Sequence, residues 1–244
     1  MGGKLSRIVA KGSGRAVIRT HRPDYQLVLF VGLLVSIGLM VLFAISPYQI
    51  HAVNAAGGQL DQSHFMLKQM MYLLMGAVAF VVAAVTPFEW WRRFVPHLLL
   101  LAFGLCMLLA LLGAGEIPPA LCHNGACRWY DVGFGTFQPA ELLKFALLLF
   151  GASFIGRRIR HKNIDSMNDT LIPLGVVIGL ALLFVVGLQK DMGTGVTILG
   201  TLGAMLFVSG MSKKLLVSGA GALLVVGALF IVFSPHRMER ILTF

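Results

Sequence analysis

Seven runs of about twenty mostly apolar residues constrain this chain most strongly, because each run can cross a bilayer as a helix. No polar segment between them is long enough to form a core of its own, which excludes a separate soluble domain. A mean hydropathy of +0.84 agrees with this pattern. The sequence therefore predicts an all-α polytopic membrane protein with spans at about 25–46, 66–87, 96–115, 138–156, 171–189, 192–211 and 214–234.

The basic residues predict the orientation of these spans. With the N-terminus in the cytoplasm, fourteen of the twenty Lys and Arg residues fall on the cytoplasmic side, as the positive-inside rule requires. The chain then divides into a basic cytoplasmic tail over 1–24 and a transmembrane domain over 25–244. Because this asymmetry accounts for most of the net charge of +10, the sequence argues against a nucleic-acid partner.

Three polar segments lie on the predicted outer side of the membrane, and this shared side would allow them to form one site. They read CHNGACRWYDVGFGTFQPAE, QKDMGTG and SPHRMERILTF. The first segment contains Cys122 and Cys127, which would either form a short-range disulfide or remain unpaired thiols. The sequence leaves both alternatives open.

Glu141 and Lys144 lie at the start of an apolar run, where a charged side chain is costly unless it is paired or hydrated. Three residues apart on a helix, they share a face and can form an ion pair. Pro139 suits the first helical turn, and Glu141 suits the positive end of the helix dipole. Spacing alone favours a structural ion pair, and the alternative is a pair that lines a hydrated cavity for a polar head group.

The other polar residues also allow two interpretations each. Asp191 either belongs to a hydrated turn between two spans or faces a ligand. Arg128 beside Trp129 would supply a cation for phosphate and a ring for sugar, or belong to an ordinary interfacial aromatic belt. Arg237 and Arg240 follow the last span and indicate either an anionic partner or a surface anchor. No residues have the spacing of a zinc site.

The three polar segments resemble the signatures of the SEDS family (shape, elongation, division and sporulation), which includes RodA and FtsW. RWYDVGFGTFQPAELLK follows the family pattern R-W-x-x-x-G-x-x-x-x-Q-P-[SA]-E-x-x-K. QKDMGT is similar to the family's Q-P-D-[LM]-G-T, and PHRMERILTF to its P-[YH]-[RQ]-x-x-R-[IL]-x-x-F. The matches stand in the family's order and cover nearly the whole chain after the basic tail.

The resemblance implies a membrane glycosyltransferase with a ten-helix fold that polymerises lipid II into peptidoglycan strands at the outer face of the bacterial inner membrane. It implies a class B penicillin-binding transpeptidase as partner, within the divisome or elongasome. No cofactor is implied, although a divalent cation at the diphosphate is left open. Asp191 would be a second acid, structural or catalytic. The substrate cavity would comprise Arg128, Trp129, Gln138, Glu141, Lys144, Arg237 and Arg240.

The chain departs from the family pattern at two places. Lys190 stands where the family usually has proline, and the aspartate generally proposed as catalytic lies in the family beyond the element that ends here at Phe244. We therefore expect an N-terminal portion with seven of the ten spans, inactive in polymerisation alone, which the codons after Phe244 would test. The alternatives are a lipid II flippase and a non-catalytic division scaffold. The branch (elongation, division or sporulation) stays open.

Overall fold

The computed structural model describes residues 24–232 except 56, 60, 62, 116, 124 and 134. Most of the predicted basic tail, Arg237 and Arg240 therefore lie outside the described residues. Seven α-helices form the described part: α1 (Tyr25–Ala55), α2 (His64–Val85), α3 (Phe88–Ala114), α4 (Pro139–Arg160), α5 (Ile172–Leu182), α6 (Met192–Val208) and α7 (Lys213–Val232). The predicted number and order of helices are confirmed.

Five helical segments within the described residues are long and apolar enough to cross a membrane. Four of them are α1 to α4, and the fifth is the continuous segment Met167–Leu188, which contains α5. A shorter apolar helix, α6, has 17 residues. The all-α membrane class is confirmed.

Two helices extend well beyond the apolar spans predicted for them. The first continues through Pro47 to Ala55, nine residues past the predicted end of 25–46. The third begins after Pro87 and contains Pro96, at which the predicted span 96–115 started. Pro87 is the extended residue before the helix, whereas Pro96 lies within it, where a proline removes one backbone hydrogen bond without ending the helix here. These two helices are therefore longer than the apolar spans predicted within them.

Segments with wider, π-helical turns flank α5. They span Met167–Leu171 and Leu183–Leu188, and the second is followed by Gln189, whose N–H donates to the carbonyl of Phe184. Such turns are rare and occur frequently at functional sites. The second π-helical segment, Leu183–Leu188, leads directly into the polar turn before α6.

A small antiparallel sheet fills part of the loop between α3 and α4. Its strands are β1 (Ala120–His123), β2 (Ala126–Asp131) and β3 (Thr136–Phe137), in the order β1-β2-β3. A disulfide joins Cys122 to Cys127 across β1 and β2, which resolves the alternative left open by the sequence. We did not predict these strands, although the Asn-Gly dipeptide between ALCH and ACRWYD is a strong hairpin signal.

The contacts within the chain divide it after Ala84 into two compact units. In the first unit, α1 and α2 leave nearly all of their apolar side chains exposed, as lipid-facing helices would. In the second, α3, α4, α6 and the segment around α5 share one apolar core. Helices α4 and α6 approach closely at Gly151, where a Cβ would lie 2.9 Å from Cδ2 of Leu202.

The two ends of the α3–α4 pair differ in their surroundings. At one end, a Cβ on Gly113 of α3 would lie 2.7 Å from the Cβ of Cys127, and α4 begins at Pro139 soon after β3. We call this the sheet end. The opposite end, where α3 begins at Phe88 and α4 finishes at Arg160, carries several arginines. We call it the arginine end.

Candidate functional site

Arg128 connects the sheet to the turn before α6. It lies on β2, and its guanidinium donates from Nε to the carbonyl of Gln189 at 3.2 Å and from Nη2 to the carbonyl of Lys190 at 2.6 Å. Carbonyl groups at the end of a helical segment lack intrahelical partners, so a cation there satisfies both charge and hydrogen bonding. Arg128 thus holds two chain segments about sixty residues apart in sequence.

Lys190 makes the reciprocal connection from the turn to the sheet. Its Nζ donates to the carbonyl of Gly125, which lies between β1 and β2, at 2.8 Å. Its backbone has a φ of 55°, in the left-handed region that few residues other than glycine adopt. Proline, the residue usual in the family at this position, has its φ fixed near about −65° and cannot adopt this conformation. Lys190, which replaces the proline usual in the family, therefore lies in a turn conformation that proline could not adopt.

Asp191 is the N-cap of α6 and is fully engaged by hydrogen bonds. Its Oδ1 accepts from the backbone N–H of Thr194 at 3.1 Å. Its Oδ2 accepts from Oγ1 of the same threonine at 2.8 Å and from Nε2 of Gln138 at 3.0 Å. Because Gln138 is the residue immediately before α4, this network links the starts of α4 and α6. A carboxylate with three such partners is suited to positioning.

Glu141 and Lys144 form the predicted ion pair in the first turns of α4. The Nζ and Oε1 atoms are 2.7 Å apart, and Pro139 occupies the first helical position as expected. The side chain of Glu141 is 56% exposed and that of Lys144 29%. An ion pair this accessible contributes little to stability, so its position beside the hydrogen-bonded network is its more informative property.

The two aromatic residues of β2 differ in environment. Trp129 is 40% exposed, so its ring is available to a sugar or to the interface. Tyr130 is buried, and its hydroxyl donates to the carbonyl of Leu105 in α3 at 2.8 Å. Burial raises the pKa of the Tyr130 phenol above its usual value. Tyr130 thus anchors the sheet on α3, a role that the sequence did not reveal.

The sheet end gathers five of the predicted site residues: Arg128 and Trp129 on β2, Gln138, Glu141 and Lys144 at the start of α4. Asp191 joins them through Gln138. Gln189, a motif residue, is only 1% exposed, and its side-chain amide lies beside the buried thiol of Cys106 in α3. A thiol is a weak hydrogen-bond partner for a buried amide.

No metal centre is found in the part of the chain that the structure describes. No group of three or more His, Cys, Asp and Glu side chains there has the arrangement of a metal site. The chemistry that the site offers is one accessible carboxylate, two lysines, one arginine and an exposed indole ring.

The bundle of long apolar helices defines the class of the molecule as a membrane protein. Residues 25–244 match the model of the FtsW/RodA/SpoVE family, described as cell cycle proteins. The chain belongs to this family, as the three polar segments predicted.

Curated relatives share this similarity over most of the chain. A probable peptidoglycan glycosyltransferase FtsW from Saccharophagus degradans is 33% identical over 228 residues, which cover 92% of this chain and 54% of the relative. The stage V sporulation protein E of Bacillus subtilis is 30% identical over 225 residues, 91% of this chain and 57% of the relative. The chain spans about half the length of the curated relatives it matches.

Solved structures agree with the fold. The crystal structure of the rod shape determining protein RodA from Thermus thermophilus is similar with a TM-score of 0.50 and 26% identity, over 83% of this chain and 59% of RodA. A chain in a peptidoglycan synthase complex gives a TM-score of 0.55 and 26% identity, over 90% of this chain and 58% of its own length. The description of that complex names coordinated polymerization and crosslinking.

Proposed function

We propose that the protein is a peptidoglycan glycosyltransferase and that the sheet end of this chain forms part of its lipid II site. Family membership supports the activity, because relatives 32–33% identical are described as probable peptidoglycan glycosyltransferases. The geometry supports the sheet end as the location of the lipid II site. An accessible ion pair, Glu141 with Lys144, lies within one helical turn of the network that fixes the start of α4.

The chemistry of glycan transfer explains why these groups would be needed. The hydroxyl of one sugar attacks the anomeric carbon of another, the bond from that carbon to the lipid diphosphate breaks, and the hydroxyl proton leaves. The reaction needs an acceptor for the proton and cations for the negative charge that develops on the departing diphosphate. A site for this substrate must therefore hold sugar and diphosphate together in a fixed geometry.

The described residues divide into binding and positioning groups. Glu141 and Lys144 would contact the head group, since their side chains remain accessible. Asp191 and Arg128 are positioning residues, since their hydrogen bonds hold the starts of α4 and α6 and the sheet together. Trp129 would pack against a sugar ring. Arg237 and Arg240, outside the described residues, remain proposed ligands of the diphosphate.

The location and partners follow from the same proposal. The charge asymmetry of the loops supports a cytoplasmic N-terminus in the bacterial inner membrane. The sheet end would then lie at the outer face, where lipid II would be polymerised. The similarity to a chain in a peptidoglycan synthase complex supports a class B penicillin-binding transpeptidase as the partner. Divisome or elongasome membrane proteins would complete the assembly.

A polymerisation assay tests the proposal. Residues 1–244 alone are expected to be inactive in polymerisation, so the assay uses the protein in its full-length form. It is reconstituted with fluorescent lipid II and with moenomycin, which suppresses contaminating polymerases of the classical type. We expect glycan polymer from the parent and a loss of about tenfold or more in Glu141→Ala, because a misplaced substrate reacts more slowly. Lys214→Ala, which removes a charge at the start of α7, should leave the polymer yield unchanged.

The other outcomes overturn the proposal in distinct ways. Movement of the lipid II head group across the bilayer without polymer would favour the flippase alternative, for which charged residues within spans would also be needed. A normal polymer yield from Glu141→Ala would show that lipid II does not bind at the sheet end. A parent that neither polymerises nor moves lipid II would favour the scaffold alternative.

A further inference from the structure

A concave surface lies at the arginine end of the α3–α4 pair, away from the candidate site. It is a groove of about 870 Å³, which is within the range of about 300–1,000 Å³ typical of small-molecule sites. All of its lining residues belong to α3 and α4 within one unit of the chain. We call it the α3–α4 groove.

The groove combines a charged rim with an apolar floor. The rim carries Arg92 and Arg93 from the first turns of α3, Arg157 from the last turn of α4, and one acid, Glu89. The floor includes Phe103 and Phe150. A surface with cations at a helix end and apolar groups toward the helix middle is complementary to an amphipathic anion.

The three arginines of the rim form no ion pair in the described part of the chain. Within the described ranges, no carboxylate forms an ion pair with Arg92, Arg93 or Arg157, and their side chains are exposed. The neighbouring Arg158 differs, because its guanidinium lies over the ring of Phe154 at 5.0 Å. With three cations against one acid, the rim has an excess of two positive charges.

We propose that the α3–α4 groove binds the head group of an anionic phospholipid. The phosphate would contact the exposed guanidinium groups, which match the geometry of phosphate oxygens, and the upper acyl segments would lie on the apolar floor. The predicted orientation places this end in the cytoplasmic leaflet, where basic pockets between spans recognise anionic lipids. The inference does not depend on the proposed polymerase activity.

Native mass spectrometry of the purified chain with matched lipids tests the groove. The probes are phosphatidylglycerol and phosphatidylcholine at equal concentration. We expect retained phosphatidylglycerol adducts and few phosphatidylcholine adducts. Binding should fall about fivefold in Arg157→Gln and further in Arg93→Gln/Arg157→Gln, the factor expected for each basic residue at an anionic lipid surface.

Matched variants separate the groove from general charge and from misfolding. Arg160→Gln removes the same charge at the same end of α4 outside the groove lining, and it should keep the adducts. Arg157→Lys keeps the charge and should retain most of the binding. Circular dichroism of each variant reports whether the helices remain folded.

Three results would overturn the inference. One is equal retention of the two phospholipids, which would show that the groove does not select an anionic lipid. This result would favour another occupant, such as a protein segment. Another is an equal loss in Arg160→Gln. The last is that equimolar lipid II displaces phosphatidylglycerol from the parent and that this displacement is lost in Arg157→Gln. The groove would then prefer a lipid-linked diphosphate over a phospholipid.

Discussion

The sheet end and the arginine end of the α3–α4 pair both carry charged side chains, and they use them in opposite ways. At the sheet end, Arg128, Lys190 and Asp191 are bonded to backbone or side-chain groups of other segments. At the arginine end, Arg92 and Arg157 have no ion-pair partner among the described residues. Charges with internal partners build a rigid site, whereas charges without them are available to a ligand.

The accessible pair at the sheet end sharpens this difference. Glu141 and Lys144 neutralise each other yet remain accessible, so an incoming head group can exchange partners with them without leaving a buried charge behind. The arginine end offers only an excess of cations, which suits a simple anion. The two ends would therefore recognise different lipids.

Removing Arg128 should have the largest effect on stability. Arg128→Ala deletes two hydrogen bonds from a charged donor to the carbonyls of Gln189 and Lys190, at a cost of about 1.5–3 kcal/mol. Arg160→Ala at the arginine end should stay within about 0.5 kcal/mol. Unfolding of both variants in the same detergent measures the difference, and equal destabilisation would contradict the comparison.

A methyl group at Gly195 tests how closely the segments at the sheet end pack. A Cβ there would lie 2.3 Å from Cγ2 of Val186, so Gly195→Ala should lose about 1–3 kcal/mol through overpacking. Gly200, on the same helix, has no heavy atom within 4 Å of its added Cβ. Gly200→Ala should therefore be neutral or stabilising, and thermal melts that shift alike for both variants would argue against close packing.

Replacing Lys190 by the residue usual in the family should also destabilise the sheet end. Lys190→Pro cannot keep a φ of 55° and should lose more than about 1 kcal/mol. Lys190→Gly tolerates that backbone and loses only the bond to Gly125, so it should be close to the parent. A proline variant as stable as the parent in chemical unfolding would show that the turn adopts another conformation.

The smallest of these stability effects is expected at Tyr130. Tyr130→Phe removes one hydrogen bond to α3 and should cost about 1 kcal/mol. Because burial raises the phenol's pKa in the folded state, this contribution is fully present below the usual tyrosine pKa and is lost as pH rises through the raised value. The stability of the variant should thus fall less steeply in alkaline buffer, and parallel pH profiles would contradict this assignment.

The sequence predicted the helices better than it predicted the details of the site. Length and apolarity determine a transmembrane helix almost completely, and the order of seven helices was confirmed. Topology also brought Gln138 and Asp191 to the same end, where they bond. The sheet was missed because its strands are short, and the left-handed Lys190 could not be foreseen because backbone conformation depends on tertiary partners.

Lipid II binding by two single variants tests the contrast between the ends most directly. In nanodiscs of neutral lipid, Glu141→Ala should weaken lipid II binding by about tenfold or more, the loss expected for one charged hydrogen bond. Arg157→Ala should leave lipid II affinity unchanged in the same nanodiscs and reduce only phosphatidylglycerol binding, which is measured separately by native mass spectrometry. Full lipid II affinity in Glu141→Ala, or an equal loss in Arg157→Ala, would contradict the account.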